Sequence, residues 1–434
     1  MRRPCARLGP AVVAAALLAG AAGISPVALR APAARATSTP PPTPVNGSPS
    51  PFPTALRTPR PSVTPPRLAS AAAILEDLDT GQVLFAKNAD APRPVASLTK
   101  IMTALLALSH SRPEERVTVS SLAAGQSGSV LGLRVGERIT VSELMYALLL
   151  QSSNDAAVAL AEHAGGTLGR FVEMMNEEAA RLGLTRTRFY SASGLDDRGR
   201  SSARDLATLT RAAYADPLFE QIAATKFHTV PSPSGKPRRI QNRNILLWLY
   251  PGAIGVKTGF TTPSGHCLVA TADHDGVRLL AVALGAPGHD AGTVFYNGAT
   301  LLNYGYAAFV PHPLIHAGDP VGPFRVEGRN VPAVAASTLL RLVHVDDLGT
   351  ATISVYMDAG LTLPVRAGET IGRVDIRLHG RRVGRVLVVA PVTVTAAPPP
   401  RPPRLVPPDP AADPLERGVS LLRALVQTVL GAFL

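Results

Sequence analysis

Short apolar runs between residues 72 and 284 predict the strands of a sheet. Two of them, 72–78 and 82–86, flank the turn sequence Asp79-Thr80-Gly81, which is typical of a β-hairpin. The other runs in this region span 253–259, 266–272 and 277–284. Asp275-Gly276 is a further turn signal between the last two runs, so we expect these strands to pair antiparallel.

Helical patterns lie between these two groups of strands. Apolar spacing predicts one helix from 97 to about 108 and another from 154 to about 163. The sequence Thr140-Val141-Ser142-Glu143 matches a capping box, and it predicts a helix that continues through Leu150. Together these elements predict an antiparallel sheet with helices packed against it, which is an α+β fold.

The C-terminal part of the chain carries two further patterns. Apolar runs at 351–357, 372–378 and 383–389 predict a small β-sandwich. The last 20 residues predict an amphipathic helix that lies in a membrane interface, although packing of this helix against its own protein remains open. Its apolar side is formed by Leu415, Val419, Leu422, Val426, Val429 and Phe433, and its polar side by Glu416, Ser420, Arg423 and Gln427.

Composition and charge distinguish the termini from the folded parts. Of 434 residues, 46% are hydrophobic and 41 are proline, and the formal net charge is +12. Residues 1–36 hold five arginines and no acidic residue, so the remainder carries 38 − 31 = +7. Because the chain contains no long basic run, this charge argues against nucleic-acid binding. Arg2, Arg3 and Arg7, an apolar stretch and Ala34-Arg35-Ala36 predict an export signal, with an uncleaved anchor as the alternative.

These patterns divide the chain into six segments. The terminal ones are a signal peptide at 1–36 and a membrane-anchoring helix at 414–434. Proline-rich linkers are expected at 37–67 and 396–413 because such composition favours extended, coreless chain. Between the linkers we expect a catalytic domain at 68–311 and the small β-sandwich domain at 312–395.

Ser97 and Lys100 form the first candidate catalytic motif, S-x-x-K. Three residues apart on a helix, their side chains share one face. The residues that follow are mostly apolar, which predicts a desolvated lysine whose neutral form can act as a general base. Free N–H groups at the helix start suit an activated serine and a developing oxyanion. A capping serine beside a solvated lysine would give the same short motif.

Two more motifs follow along the chain. Ser152-Ser153-Asn154 lies in the break between two predicted helices, where a capping loop is the simpler interpretation. Lys257-Thr258-Gly259 lies on a strand that leads into a hairpin, where an exposed edge-strand charge is the simpler interpretation. The order S-x-x-K, S-x-N and K-T-G on a helix, a loop and a strand is nevertheless that of penicillin-binding proteins and class A β-lactamases.

The strings around these motifs resemble one family in particular. Residues 96–103, 152–156 and 255–259 are similar to the D-alanyl-D-alanine carboxypeptidases, the low-molecular-weight penicillin-binding proteins. The resemblance covers about residues 68–390 and includes a C-terminal β domain and an amphipathic membrane anchor. It implies the serine β-lactamase/penicillin-binding-protein-like transpeptidase fold.

The resemblance also implies an acyl-enzyme mechanism on the D-Ala-D-Ala bond of a peptidoglycan stem pentapeptide. It makes Ser97 the nucleophile, Lys100 its general base and Ser152 the proton relay to the departing D-alanine. The implied substrate-binding residues are Asn154, Lys257, Thr258, Gly259 and Phe260. The backbone N–H groups of Ser97 and Phe260 would form the oxyanion hole, although other members carry His or Tyr where Phe260 stands.

The implied partners and location follow from the same resemblance. The implied partners are peptidoglycan stem peptides, β-lactam antibiotics as covalent inhibitors, and the membrane surface through the C-terminal helix. The implied location is the outer face of a bacterial cytoplasmic membrane or the cell wall. The resemblance implies no metal or other cofactor. A D,D-endopeptidase, a class A-like β-lactamase and a non-catalytic wall-binding protein remain alternatives. An E-x-x-L-N string, which a class A β-lactamase would need, does not occur between Asn154 and Lys257.

Overall fold

The computed structural model describes residues 63–288 and 291–396 and, beyond them, residues 413, 415, 418, 419, 421–423, 425 and 426. The predicted signal peptide lies outside the described residues, as does most of both predicted linkers.

Helices and strands alternate irregularly along the described chain. The strands are β1 (Ala72–Asp77), β2 (Val83–Lys87), β3 (Arg116–Thr118), β4 (Arg138–Thr140), β5 (Phe227–Val230), β6 (Arg238–Gln241), β7 (Ala253–Thr261), β8 (Gly265–His274), β9 (Val277–Ala286), β10 (Phe309–Ile315), β11 (Pro320–Val326), β12 (Arg329–Ala335), β13 (Leu339–His344), β14 (Thr352–Met357), β15 (Thr370–Leu378) and β16 (Arg381–Val389). The α-helices are α1 (Lys100–His110), α2 (Ser121–Ala124), α3 (Val141–Tyr146), α4 (Asn154–Gly165), α5 (Leu168–Arg181), α6 (Ala203–Ala213), α7 (Pro217–Ala224), α8 (Leu246–Leu249) and α9 (Gly292–Ala308).

A five-stranded antiparallel sheet forms the centre of the first domain, in the order β2-β1-β9-β8-β7. All five predicted strands of this sheet are confirmed. Successive side chains of a strand point to opposite faces. Ile74 and Val282 therefore pack into a core with the helices α1, α4 and α6, whereas Leu75 and Leu279 pack on the other face against α9. The expected α+β layout is confirmed, and β7 is one edge of the sheet.

The predicted helices exist, but two of them are not α-helical throughout. The segment from 97 begins as a 3₁₀ turn, Ala96–Thr99, and α1 follows from Lys100. Thr140 caps α3 by accepting a hydrogen bond from the N–H of Glu143 at 3.2 Å, as the capping pattern predicts. After Tyr146 the chain continues as a π-helical turn, Ala147–Gln151, which ends where Ser152 adopts a left-handed conformation with φ 65°.

The C-terminal domain has two β layers. A five-stranded sheet in the order β11-β12-β16-β15-β14 packs against the two-stranded sheet β10-β13. The three predicted strands correspond to β14, β15 and β16. Gln82 of the first domain joins the two domains because its side-chain amide exchanges hydrogen bonds with the backbone N–H and C=O of Leu342.

The C-terminal tail is helical at its described positions between 415 and 426. The described apolar side chains there are exposed, with Leu415 at 79% and Val426 at 50%. Among the described residues, no helix is both long and apolar enough to cross a bilayer.

Candidate active site

Lys100 lies completely buried beneath Ser97, at the junction of the 3₁₀ turn and α1. Its Nζ is 3.0 Å from Oγ of Ser97, 2.8 Å from Oδ1 of Asn154 and 2.7 Å from the carbonyl oxygen of Ser193. Burial, followed by the nearby charges of Lys257 and Arg243, holds the pKa of Lys100 well below its ordinary value. The predicted desolvation of this lysine is confirmed, and a neutral amine at this distance can take the serine proton.

Ser152 and Asn154 approach the same lysine from the break before α4. Ser152 is 4% exposed, and its left-handed backbone turns the chain out of the π-helical turn. Oδ1 of Asn154 accepts from Lys100, while its Nδ2 donates to the carbonyl of Ser127 at 2.7 Å. The Asn154 side chain is therefore fixed from both ends.

Edge strand β7 brings K-T-G against the 3₁₀ turn. A Cβ atom placed on Gly259 would lie 2.9 Å from the carbonyl oxygen of Val95 and 3.2 Å from the backbone nitrogen of Ser97. Real Cβ atoms almost never come as close as the first distance, and the second is closer than nine in ten real contacts. Glycine is thus the residue that lets the strand pass directly beside Ser97.

Lys257 is also buried, contrary to the picture of an exposed edge-strand charge. It is 1% exposed, and its Nζ donates to the carbonyl of Thr258 at 2.9 Å. Burial, with the charge of Arg243, lowers the pKa of Lys257 to about 7. Lys257 and the Arg243 guanidinium therefore supply the positive charge on this side of the site, next to the neutral amine of Lys100.

A cleft of about 480 Å³ opens above these groups. Its lining includes Ser97, Ser152, Asn154, Thr258, Gly259 and Phe260, with Lys100 and Lys257 buried below. The Phe260 ring is 54% exposed and stacks on His266 with ring centroids 4.4 Å apart. The structure thus brings all of the predicted site residues around one cleft.

Several residues of the site were not assigned by the sequence analysis. Arg243 lines the cleft, and Ser193 supplies the carbonyl that fixes Lys100. The Asp155 carboxylate accepts the backbone N–H groups of Leu131, Gly132 and Leu133 at 2.9–3.1 Å, which shapes the loop that carries the cleft residues Gly128 and Ser129. An acidic residue directly after Asn154 was the available signal, but its partners are more than 20 residues away in sequence.

No cluster of three or more His, Cys, Asp or Glu side chains that could hold a metal ion occurs within the described parts of the chain. Cys267, beside the cleft, is buried, and burial raises the pKa of its thiol to about 11. A buried thiol with a raised pKa is a poor nucleophile, so Cys267 is a packing residue of the cleft wall.

The fold and the three motifs define a serine acyl-transfer enzyme with a penicillin-binding-protein fold. Residues 60–288 match the family model described as D-alanyl-D-alanine carboxypeptidase, peptidase family S11. This match covers just over half of the chain, and the chain belongs to this family. It is a serine-type D-Ala-D-Ala carboxypeptidase.

Individual relatives extend the similarity into the C-terminal domain. D-alanyl-D-alanine carboxypeptidase DacD of Escherichia coli is 33% identical over 74% of this chain and 86% of its own length. DacF of Bacillus subtilis is 30% identical over 74% of this chain and 83% of its own length. The crystal structure of penicillin binding protein 5 from Haemophilus influenzae superposes with a TM-score of 0.64 at 30% identity, covering 77% of this chain and all of that one.

Proposed function

We propose that Ser97 attacks the carbonyl between the two terminal D-alanines of a peptidoglycan stem pentapeptide. Lys100 accepts the hydroxyl proton as the Ser97 Oγ–carbonyl bond forms. The observation that carries this assignment is the 3.0 Å contact between a fully buried Lys100 Nζ and Ser97 Oγ. A lysine in this setting is uncharged at a much lower pH than in water, so it is available as a base.

The tetrahedral intermediate places its oxyanion between the backbone N–H groups of Ser97 and Phe260. The tight approach of Gly259 to Ser97 supports this pairing because it sets the two backbones side by side. When the intermediate collapses, the C–N bond breaks and Ser152 passes a proton to the departing D-alanine amine. Water then releases the shortened peptide from Ser97 and regenerates the enzyme.

The positive end of the cleft suits the free carboxylate of the substrate. Thr258 lines the cleft, and the buried Lys257 donates from Nζ to the carbonyl oxygen of Thr258. Binding of an anion restores the charged form of Lys257, since a nearby negative charge raises the pKa of an amine. Asn154 holds the acyl part of the peptide through its amide.

Labelled penicillin and a synthetic pentapeptide test this function together. We expect penicillin to label Ser97 in the native protein and not in Ser97→Ala, and we expect D-alanine to be released from the pentapeptide. Absence of label on Ser97 would refute the assignment. Rapid turnover of the label would identify a β-lactamase instead, and hydrolysis of cross-linked dimers without release of D-alanine would identify an endopeptidase.

We also propose that the protein is exported and rests on the outer face of the cytoplasmic membrane through residues 414–434. The exposed apolar side chains at the described helical positions support this, because nothing in the described structure covers them. Deletion of 414–434 should release the protein from sedimented membranes, whereas Ser97→Ala should stay bound. N-terminal sequencing of the membrane-bound protein tests removal of 1–36, and retention of the truncated protein would refute the anchor.

A further inference from the structure

The five-stranded sheet of the C-terminal domain has an outer face that is turned away from β10 and β13. On three neighbouring strands of this sheet, the side chains that point inwards pack into the core, among them Val374, Ile376 and Val386. The side chains between them point outwards, and the strand registers align them in rows. These outward positions are Thr352, Ser354 and Tyr356 on β14, Arg377, Asp375 and Arg373 on β15, and Arg382, Arg385 and Leu387 on β16. We call these nine residues the arginine face.

The positive charge of the domain is concentrated on the arginine face. Residues 312–395 contain nine arginines, no lysine and seven acidic residues. Four of these arginines and one of these acidic residues lie on the arginine face, which therefore carries 4 − 1 = +3. The rest of the domain carries 5 − 6 = −1. A domain that is otherwise nearly neutral thus presents one cationic side.

The single carboxylate of the arginine face is shared by two arginines. Asp375 is 5% exposed, and its oxygens lie 2.7 Å from Nε of Arg385 and 3.7 Å from a guanidinium nitrogen of Arg382. Both arginines extend over this carboxylate towards solvent. One negative charge lies beneath two positive ones, so the outermost layer of the face remains cationic.

The other two arginines have neutral partners. Arg373 lies over the ring of Tyr356, 4.9 Å from its centroid, and Arg377 donates to the carbonyl of Gly380 at 2.8 Å. Within the described parts of the chain, neither guanidinium forms an ion pair. Their charges are therefore available to a partner outside the domain.

The four arginines are close enough to repel one another. Strands lie about 4.8 Å apart and rise about 3.3 Å per residue, so the nine positions span about 10 by 13 Å. The screening length of physiological salt, about 8 Å, is of the same order. An anionic surface placed against the arginine face would relieve this repulsion, so the face favours a negatively charged partner.

Exposed apolar side chains border the same face. β14 is the edge of its sheet, and the inward side of this edge strand leaves Ile353, Val355 and Met357 exposed, the first at 49%. On the arginine face itself, Tyr356 and Leu387 are exposed as well, the latter at 53%. Arginines mixed with apolar and aromatic side chains suit a bilayer surface, where anionic head groups lie next to acyl chains. A purely ionic polymer would leave these apolar side chains uncovered.

The C-terminal tail would keep the domain near a membrane. The described domain ends at residue 396, and the helical positions of the tail begin at Leu415. The 18 residues between them can span at most about 60 Å. Once the tail is bound, contact between the arginine face and the bilayer is an intramolecular event, and a weak attraction is sufficient for it.

We infer that the arginine face and the exposed edge of β14 dock on a bilayer that contains anionic lipids. The inference rests on the membrane location proposed above. The tail would attach the protein, and the arginine face would lay the C-terminal domain against the lipid head groups.

Binding of the full-length protein to lipid vesicles tests this surface. The vesicles consist of phosphatidylcholine alone or with one third of anionic phosphatidylglycerol, and the tail is the same in every variant. Arg373→Gln combined with Arg377→Gln removes two charges that have no carboxylate partner. An arginine at an anionic surface contributes about fivefold to binding, so we expect this double variant to bind anionic vesicles about 10- to 25-fold more weakly. Binding to neutral vesicles should not change, and high salt should abolish the difference.

Two further double variants serve as controls. Arg116→Gln combined with Arg138→Gln removes two exposed arginines from the β3–β4 pair, where neither forms an ion pair with a described residue. This variant should bind anionic vesicles as the native protein does. Arg373→Lys combined with Arg377→Lys keeps the charge and should keep most of the binding. Thermal unfolding and labelling by penicillin check that every variant is folded.

Three results would overturn the inference. One is equal binding of the native protein and the Arg373→Gln/Arg377→Gln variant to anionic vesicles. Another is an equal loss in the Arg116→Gln/Arg138→Gln control, which would assign the effect to total charge. The third is tight binding of soluble polyphosphate without any gain from anionic lipid, which would identify a polyanion as the partner.

The proposed function fails in a different way from this inference. If native protein and variants are labelled by penicillin and release D-alanine equally, the carboxypeptidase function stands whatever the vesicles show. A full-length protein that binds neither kind of vesicle would refute the proposed membrane location itself. Binding that is lost on deletion of 414–434 but unaffected by the arginine variants would leave the anchor intact and refute only the arginine face.

Discussion

Replacing Gly259 with alanine should slow the acylation of Ser97 strongly while the protein still folds. The new Cβ would lie 2.9 Å from the Val95 carbonyl oxygen and 3.2 Å from the backbone nitrogens of Ser97 and Leu98. Ordinary contacts at such positions begin at 3.4 Å, so either β7 or the 96–99 turn must move by about half an ångström. All three contacts are backbone atoms, which cannot rotate away as a side chain does.

The expected magnitude follows from what this displacement disturbs. It moves the Phe260 N–H relative to the Ser97 N–H, the two proposed oxyanion donors. Loss of one such donor slows catalysis about 10²- to 10³-fold, and a misplacement of 1 Å about 10²-fold. We therefore expect acylation to slow about 10- to 100-fold, whereas overpacking should lower the free energy of unfolding by only about 1–3 kcal/mol.

The assay is the second-order rate constant for labelling by a fluorescent penicillin, with thermal unfolding measured on the same samples. Gly169→Ala is the matched control, because a Cβ on Gly169 meets nothing within 4 Å and its helical position favours alanine. A folded Gly259→Ala protein that is acylated at the native rate would refute the proposed closeness of strand and turn. Slower acylation in Gly169→Ala would point to an unspecific effect.

Three further outcomes are expected. Lys257→Met should abolish efficient peptide hydrolysis yet make the protein more stable. Burial lowers the pKa of Lys257 from 10.5 to about 7, so below pH 7 the native protein carries a buried charge that methionine would remove. The free energy of unfolding should therefore rise by up to about 5 kcal/mol below pH 7. The stability gain should shrink as the pH rises from 7 towards 10.5, because the unfolded chain then also loses the proton from Lys257. Urea unfolding of the native protein and Lys257→Met at pH 6 and 9 measures the gain. An equal gain at both pH values would contradict the lowered pKa of Lys257. The kcat/KM of the native enzyme should fall as the pH falls through the lowered pKa of Lys100, and an acid limb near 10.5, the ordinary pKa of a lysine, would show that burial does not keep this lysine neutral. Asp155→Asn should lower the free energy of unfolding by about 1–3 kcal/mol, because the amide nitrogen cannot accept the backbone N–H groups that the carboxylate accepts. Unchanged urea unfolding of Asp155→Asn would show that this carboxylate does not stabilise the 131–133 loop.

Local patterns were sufficient for the central sheet and the three motifs. The apolar runs that became β7, β8 and β9 are long and bounded by turn residues, so each strand could be predicted from its own sequence. The strands β10 to β12 of the C-terminal domain were not predicted. Prolines 311, 313, 320, 323 and 332 lie within them and weaken the β signal, although edge and irregular strands accept proline.

The details of the site depend on contacts that no local pattern contains. The carbonyl of Ser193 that fixes Lys100 is 93 residues away from it, and the π-helical turn before Ser152 reads as ordinary helix in sequence. The burial of Lys257 is likewise a tertiary effect, since a lysine on an edge strand is usually solvated. The sequence was sufficient to predict which residue types form the site. The lowered pKa values of Lys100 and Lys257 could not be predicted, because they depend on how the folded chain buries these side chains.

The position of β7 at the border of its sheet has a consequence for self-association. An unpaired strand normally invites another polypeptide to add to it, which leads to aggregation. Here the 96–99 turn packs against β7 at Gly259, so any polypeptide added to this edge would lie next to the catalytic turn. The backbone groups of β7 that a short peptide would use are therefore the same ones through which a second copy of the chain could pair, so an occupied cleft would also cover a site of self-association.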